Sequence, residues 1–227
     1  MLDILKFEEG YFERIWGGDR LRSVLGKDVP EDKSIGEAWL VSDHASHESV
    51  VSEGPHAGRT LRELLEENAG AVLGNRAQLT VHGRFPLLLK ILDAGAVLSV
   101  QVHPDDEAAA RLGEPDVGKT EMWHVLQSDS GSELICGLEG EVTSDNFLDV
   151  LEDGRIAGLM KRLDAAAGTN VYVASGTVHS IGGGILLAEI QQNSDLTYRI
   201  FDWKRRDSEG KLRELHLEKA RAVTHFG

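Results

Sequence analysis

Short apolar runs, separated by glycines and polar residues, recur along most of this chain. Their lengths match those of β-strands, and several alternate polar and apolar residues as half-buried strands do. We predict strands over 35–41, 85–92, 97–102, 122–126, 134–137, 170–173, 185–191 and 197–203. A chain built from so many short strands favours an all-β barrel or a sandwich of two sheets, with helices as insertions or flanks.

Helical signals are confined to a few segments. The spacing of apolar residues, together with start signals such as Thr60 and Pro104, predicts helices over 61–73, 104–112, 145–163 and 215–223. Gly154 and Gly158 suggest a break in the third of these helices. We expect one domain over 1–227. In that domain 145–163 is a helical insertion and 215–223 is a helical tail.

The charge balance restricts the class of partner. The chain has 38 Asp and Glu residues against 24 Lys and Arg, a net charge of −14, and no run of basic residues. This argues against nucleic acids and anionic membranes as partners. The single cysteine, Cys136, cannot form an internal disulfide, and Met1 to Lys6 lack the apolar core of a secretory signal. We therefore expect a cytoplasmic protein.

A polar face interrupts the apolar stretch from Leu98 to His103. In a strand, Leu98, Val100 and Val102 face one side, and Ser99, Gln101 and His103 face the other. A buried sheet face does not normally accept three polar groups unless each has a partner. A metal ion or a polar ligand on that face would supply one.

Three later stretches carry similar polar residues: 118–123, 175–180 and 189–203. Together with the first stretch, these segments provide two imidazoles, a carboxylate and an amide that can close on one divalent ion. The donors would be Gln101, His103, Glu121 and His179. Two nitrogen and two oxygen donors suit zinc or another first-row metal better than calcium or magnesium. Because Glu121 and His179 are far in sequence from Gln101 and His103, only the fold can gather the four residues.

In combination and in chain order, these stretches resemble the type I mannose-6-phosphate isomerases, a zinc-dependent family of the cupin superfamily. The matching segments are 85–90, 98–106, 118–123, 176–179 and 189–203, with further matches at 16–18, 35–39 and 214–216. The resemblance covers nearly the whole chain and implies a cupin-type β-barrel, or jelly roll. Longer family members continue into another β domain, so the resemblance is to a short form that lacks it.

The resemblance also implies roles for individual residues. It implies one zinc ion, or another first-row divalent ion, bound by Gln101, His103, Glu121 and His179. It implies catalytic roles for Arg199, Lys119 and Glu189, and substrate-binding roles for Ser99 and Lys90.

The implied reaction interconverts mannose 6-phosphate and fructose 6-phosphate, so the expected partner is a small hexose 6-phosphate. A proton moves between C1 and C2 through a cis-enediol or enediolate, which requires a base and groups that stabilise the developing negative charge. The sequence leaves the base open between Glu189 and Lys119. The alternatives are an isomerase of another phosphosugar and a non-catalytic, metal-bearing cupin that binds a sugar phosphate as a sensor or regulatory module.

Overall fold

Antiparallel strands dominate the computed structural model, which describes residues 4–206 and 210–226. The strands are β1 (Gly10–Gly18), β2 (Ile35–Val41), β3 (Asp43–His44), β4 (His47–Glu48), β5 (Leu87–Ala94), β6 (Val100–Val102), β7 (Glu121–Ser128), β8 (Glu133–Leu138), β9 (Met160–Asp164), β10 (Asn170–Val173), β11 (His179–Ile181), β12 (Ile185–Gln192) and β13 (Tyr198–Phe201). The α-helices are α1 (Arg20–Ser23), α2 (Leu61–Leu73), α3 (Asp106–Arg111), α4 (Phe147–Glu152) and α5 (Leu217–Val223).

The strands form two main sheets and one small hairpin. The larger sheet has the strand order β1-β2-β5-β12-β7-β10, and the smaller has the order β13-β6-β11-β8-β9. Strands that are distant in sequence become neighbours: β5 pairs with β12 from Ala94 opposite Ile185 to Leu87 opposite Gln192. Two antiparallel sheets with few helices confirm the predicted class, a mainly β, cupin-type fold.

An apolar core fills one part of the space between the sheets. Leu92 and Leu187 of the larger sheet are buried there together with Leu134 and Ile181 of the smaller sheet. Burial of these side chains from both sheets holds the sheets face to face. Leu98 packs in the same cluster rather than with Val100 and Val102, because it precedes β6 and does not follow that strand's alternation.

A second apolar cluster covers the outer face of the smaller sheet. Val100 and Val102 of β6 pack there with Phe147 and Val150 of α4 and Val223 of α5. The strand β6 is therefore apolar towards the helices, and its polar face is left for the space between the sheets. Among the described residues, no helix is long and apolar enough to cross a membrane.

The segment 145–163 breaks at Gly154, as the glycines suggested, but its last part is a strand and not a helix, which corrects that part of the prediction. The helix α4 ends before Gly154, whose positive φ of 72° terminates the helical path, and a 3₁₀ turn then covers Arg155–Gly158. The strand β9 follows at once. Phe147 and Met160 both reach the same apolar cluster, which explains why the buried positions imitate one helical stripe.

The other predicted helices are present with adjusted ends. The helix α2 has the predicted bounds, and Thr60 and Glu63 form a capping box at its start. The helices α3 and α5 are shorter than the predicted 104–112 and 215–223. The strand β1 was not predicted, because only Trp16 among its nine residues is fully buried and the apolar pattern is correspondingly weak.

Substitution of Phe147 tests this packing of the 145–163 segment. Phe147 has no exposed surface, so Phe147→Ala should lower the free energy of unfolding by about 3–5 kcal/mol. Leu163, which would lie on the same stripe of a continuous helix, is 41% exposed on β9, and Leu163→Ala should cost less than about 1 kcal/mol. Urea denaturation of both variants measures the difference. Equal losses would contradict the described break at Gly154.

Candidate active site

Two rows of polar side chains meet in the remaining space between the sheets. In the larger sheet the strand register places four residues side by side: Trp39, Lys90, Glu189 and Trp123. In the smaller sheet it places three residues side by side: Arg199, Gln101 and His179. The rings of Trp123 and His179 lie 5.5 Å apart, so the rows touch across the gap.

Three buried side chains converge where the rows touch. One ligand atom each from His103, Glu121 and His179 lies within 4.8 Å of the others. Nε2 of His103 is 3.5 Å from one Glu121 oxygen, and Nε2 of His179 is 3.4 Å from the other. None of the three residues is more than 2% exposed. The geometry therefore brings three of the four predicted ligands to one point.

The protonation states of this cluster suit a cation. Burial, reinforced by the nearby Lys119 ammonium, lowers the pKa of His103 to about 3. Burial also lowers the pKa of His179, whose Nδ1 donates to the carbonyl of Thr177 at 2.8 Å and leaves the Nε2 lone pair towards the cluster. Burial acts to raise the pKa of Glu121, but Lys119 and His179 outweigh it, and the net pKa lies well below its usual value. Neutral imidazoles and an ionised carboxylate are the forms that bind metals.

Unpaired polar atoms in the cluster also point to a missing partner. Within the described residues, both ring nitrogens of His103 and one oxygen of Glu121 have no hydrogen-bond partner, and the other Glu121 oxygen has only its ion pair with Lys119. Buried polar groups rarely remain unpaired, since each costs free energy when it leaves water. A divalent cation bound at this point would be held by Nε2 of His103 and by the Glu121 carboxylate, so the residues present fit a metal site.

Gln101 lies at the rim of the same cluster. Its side-chain amide is 3.4 Å from Nε2 of His179, and β6 and β11 pair directly at these two residues. A half-turn of the amide exchanges its nitrogen and oxygen ends, so the amide oxygen can reach the point where the other three side chains converge. Gln101 thus lies within reach of the cluster.

Lys119 lies beside the cluster rather than at the surface. It is 5% exposed, and its Nζ is 3.1 Å from an oxygen of Glu121. Burial acts to lower the pKa of Lys119, but the carboxylates of Glu121 and Glu189 outweigh burial and raise it above the usual value. Lys119 therefore carries a positive charge and holds its proton.

Glu189 is buried near the Lys119 ammonium, but whereas Lys119 keeps its charge, the pKa of Glu189 is shifted towards the neutral form. Its carboxylate accepts a hydrogen bond from the Trp123 indole at 3.1 Å and lies 3.8 Å from Nζ of Lys90. Burial, together with the negative charge of Glu121, raises the pKa of Glu189 to about 7. A carboxyl group with that pKa can both accept and release a proton near neutrality.

Lys90 is held by a buried network that includes Glu37 and Arg14, neither of which was predicted as a site residue. Its ammonium lies 3.6 Å from Glu37 and 4.6 Å from the centre of the Trp39 ring. Glu37 also accepts hydrogen bonds from Arg14 and from the Trp39 indole, both at 2.7 Å. Burial acts to raise the pKa of Glu37, but Lys90 and Arg14 overcome it and lower the pKa to about 2.

The alternation of side-chain directions along β2 could have identified Glu37 as a site residue. Two residues apart on a strand, Glu37 and Trp39 share a face, and that face carries the site. Arg14 gave no comparable signal, because its contact with Glu37 depends on the pairing of β1 with β2.

Arg199 and Ser99 meet at the rim of the site. Nε of Arg199 donates to Oγ of Ser99 at 3.3 Å, and one terminal nitrogen donates to the carbonyl of Glu214 at 3.0 Å. Asp202, three residues further along the chain, forms ion pairs with Arg205 and Arg213 and not with Arg199. Among the described residues Arg199 has no carboxylate within ion-pair distance, so its charge is available to a ligand.

A cavity of about 350 Å³ opens in front of these groups. It is large enough for a small polar ligand. Five cationic side chains line it: Arg14, Lys90, Lys119, Arg199 and Arg213. Three carboxylates line it: Glu37, Glu189 and Asp195. The lining thus has an excess of positive charge within a chain whose net charge is −14.

Comparison with known proteins and protein families shows which proteins this chain resembles. Residues 4–122 match the family model described as phosphomannose isomerase type I, catalytic domain. The mannose-6-phosphate isomerase of Bacillus subtilis is 43% identical over 219 residues, which are 95% of this chain and 66% of the relative. The mannose-6-phosphate isomerase of Streptococcus mutans is 40% identical over 227 residues, which are 100% of this chain and 69% of the relative.

Solved structures agree with these matches. The crystal structure of the Bacillus subtilis mannose 6-phosphate isomerase superposes with a TM-score of 0.89 at 38% identity, and the match covers 97% of this chain and 68% of that one. A variant of phosphomannose isomerase from Salmonella typhimurium shares the fold, with a TM-score of 0.74 at 16% identity over 98% of this chain and 74% of that one. This chain spans about two thirds of the length of its curated relatives. With relatives this similar along nearly its whole length, the chain belongs to the type I phosphomannose isomerase family.

Proposed function

We propose that this protein interconverts mannose 6-phosphate and fructose 6-phosphate. The observation that carries the proposal is a cavity lined by a carboxyl group with a pKa of about 7 and by an arginine that has no carboxylate partner among the described residues. Two further lining residues, Gln101 and Lys119, connect this cavity to the buried cluster that can hold a metal. Relatives that are 40–43% identical along this chain bear the name mannose-6-phosphate isomerase. A fold alone would not identify the reaction, because one fold hosts many activities.

The metal site in this proposal uses Gln101, His103, Glu121 and His179 around one ion. Two imidazole nitrogens and two oxygen donors favour zinc, with another first-row divalent ion as the alternative. A metal bound by these residues supplies Lewis-acid polarisation of the substrate's carbonyl group.

Proton transfer is assigned to Glu189. It takes the proton from C2 of mannose 6-phosphate and returns it to C1, while the hydroxyl proton passes from O2 to O1, so that the aldose becomes the ketose through a cis-enediol. The direction of the pKa shifts supports this choice over Lys119, because Glu189 exchanges its proton near neutrality and Lys119 keeps its own. Lys119 and Arg199 act as cationic donors to the oxygen atoms on which negative charge develops.

The phosphate group requires local positive charge, because a dianion is repelled by a chain with a net charge of −14. We assign this role to the cationic lining, with Ser99 as a hydroxyl donor and Lys90 as a substrate-binding side chain. Lys90 shares its charge between Glu37 and Glu189, whereas Arg199 has only hydrogen bonds to Ser99 and Glu214. Arg199 therefore contributes the larger unneutralised charge.

The domain organisation and location complete the proposal. We propose that residues 1–227 form one catalytic unit, because each assigned side chain lies on the two described sheets or their connecting loops. The unpaired Cys136 supports a reducing compartment such as the cytoplasm.

Metal content tests the ligand assignment. His103→Ala and His179→Ala should each reduce bound zinc well below one ion per chain, because each removes an imidazole from the cluster. His124→Ala is the matched control, since His124 lies on β7, the strand that carries Glu121, but its ring bonds to Asn170, away from the cluster. Elemental analysis of the purified, folded variants gives the result. Full metal content in both cluster variants would refute the assignment.

Replacement of Glu189 tests the base. Glu189→Gln keeps the shape and loses the proton acceptor, so kcat should fall by roughly 10²–10⁴ while metal content is retained. Exchange of the C2 proton of mannose 6-phosphate with deuterated solvent, followed by NMR, should slow in parallel. Glu133→Gln removes the same charge from a surface position paired with Arg162 and should leave both rates unchanged. If Glu189→Gln retained more than about a third of the wild-type rate, it would exclude Glu189 as the base.

A further inference from the structure

Lys119 is a buried side chain of the site, yet its backbone lies outside the strands. The strand β7 begins two residues later, at Glu121, and Thr120 is tied to β12 by one backbone hydrogen bond, from the N–H of Gln192 to the Thr120 carbonyl at 3.0 Å. A displacement of about 1 Å in a reacting group can cost a large part of the rate. The position of Lys119 therefore depends on whatever else holds this short segment.

Three consecutive backbone N–H groups of the segment are each bound. The N–H of Gly118 donates to Oδ1 of Asp106 at 2.9 Å, and that of Lys119 donates to the carbonyl of Pro104 at 2.9 Å. The N–H of Thr120 donates to Oε1 of Gln192 at 2.8 Å. Two of these three bonds end on side chains, so they depend on residue identity and not only on the path of the chain.

Asp106 connects the two side-chain bonds. Nε2 of Gln192 donates to the same Oδ1 of Asp106 at 3.0 Å. One carboxylate oxygen thus holds Gly118 directly and orients the amide that holds Thr120, on either side of Lys119. At Gly118 itself, a Cβ atom would collide with the backbone of Asp105 and Asp106, so the segment lies directly against the start of α3.

Asp105, the residue before Asp106, has a different structural role. Asp105 accepts a hydrogen bond from the N–H of Ala108 at 2.7 Å and caps α3. Helix capping therefore accounts for Asp105 but not for Asp106. Glu107, the next acidic residue, has no hydrogen bond to residues 118–120 in the described part of the chain.

We infer that Asp106, acting with Gln192, is a positioning residue that holds the Lys119 ammonium in place for the reaction. This inference rests on the proposed isomerase function. Asp106 touches neither the cavity nor the metal cluster, and it acts only through the backbone of residues 118–120.

A comparison of three variants tests this role. Asp106→Ala removes the shared acceptor and should lower kcat for mannose 6-phosphate by roughly five- to tenfold. This is the change in rate that corresponds to the net free energy of about one hydrogen bond. Asp106→Asn keeps an oxygen acceptor and should retain at least half of the wild-type kcat. Glu107→Ala removes the same charge one residue along α3 and should match the wild type.

A double-mutant cycle separates positioning from general destabilisation. In a Lys119→Met background, Asp106→Ala should lower the residual kcat by less than twofold, because no ammonium remains to be positioned. The same five- to tenfold loss in both backgrounds would overturn the inference. So would equal kcat values for Asp106→Ala and Glu107→Ala in an active protein.

Hydrogen exchange provides a readout that does not depend on activity. Amide exchange at Gly118 and Thr120 should accelerate at least tenfold in Asp106→Ala, and stay near the wild-type rate in Asp106→Asn and Glu107→Ala. Unchanged exchange in Asp106→Ala would refute the anchoring role. A wild-type chain without isomerase activity would refute the proposed function instead, and exchange would still decide whether Asp106 holds the segment.

Discussion

Buried charge is the constraint on which the space between the two sheets depends. Lys90, Lys119, Glu121 and Glu189 are each at most 5% exposed, and each lies within 4 Å of an opposite charge. Removing one member of such a set leaves an uncompensated buried charge, which is strongly destabilising. These charges can exist between the sheets only because each has an opposite charge nearby, and the apolar core beside them provides the stability that they do not.

The buried carboxylates are not neutralised equally, and this difference in protonation gives the cavity both a fixed negative charge and a group that can move a proton. Glu121 and Glu37 are ionised because cations face them, whereas Glu189 is pushed towards neutrality by burial and by the charge of Glu121. Two carboxylates in one cavity with separated pKa values is the arrangement expected where one group holds charge and another moves a proton. Arg199, without a carboxylate partner among the described residues, contributes the remaining positive charge.

Local sequence patterns predicted the parts of this site that depend on one strand at a time. The alternation of Ser99, Gln101 and His103 correctly placed three polar side chains on one face, since side chains alternate along any strand. The pattern failed at Leu98, which lies before β6 begins, and at 145–163, where Gly154 divides a helix from a 3₁₀ turn and a strand. The resemblance to a known family predicted more, because it draws on whole-chain pairing.

Long-range strand pairing could not be derived from the residues alone. Arg14 reaches Glu37 only because β1 lies beside β2, and Gln101 reaches His179 only because β6 lies beside β11. The hydrogen bonds of Asp106 with Gly118 and Gln192 likewise join three segments that are distant in sequence. No periodicity in a single segment reports such contacts.

The most direct test of the account is a coupled assay for conversion of mannose 6-phosphate to fructose 6-phosphate by this 227-residue chain. The assay is run on the protein as purified, after removal of divalent metal by a chelator, and after zinc is added back. The account predicts turnover that is lost on chelation and restored by zinc. A folded, zinc-loaded chain that does not turn over mannose 6-phosphate would contradict it.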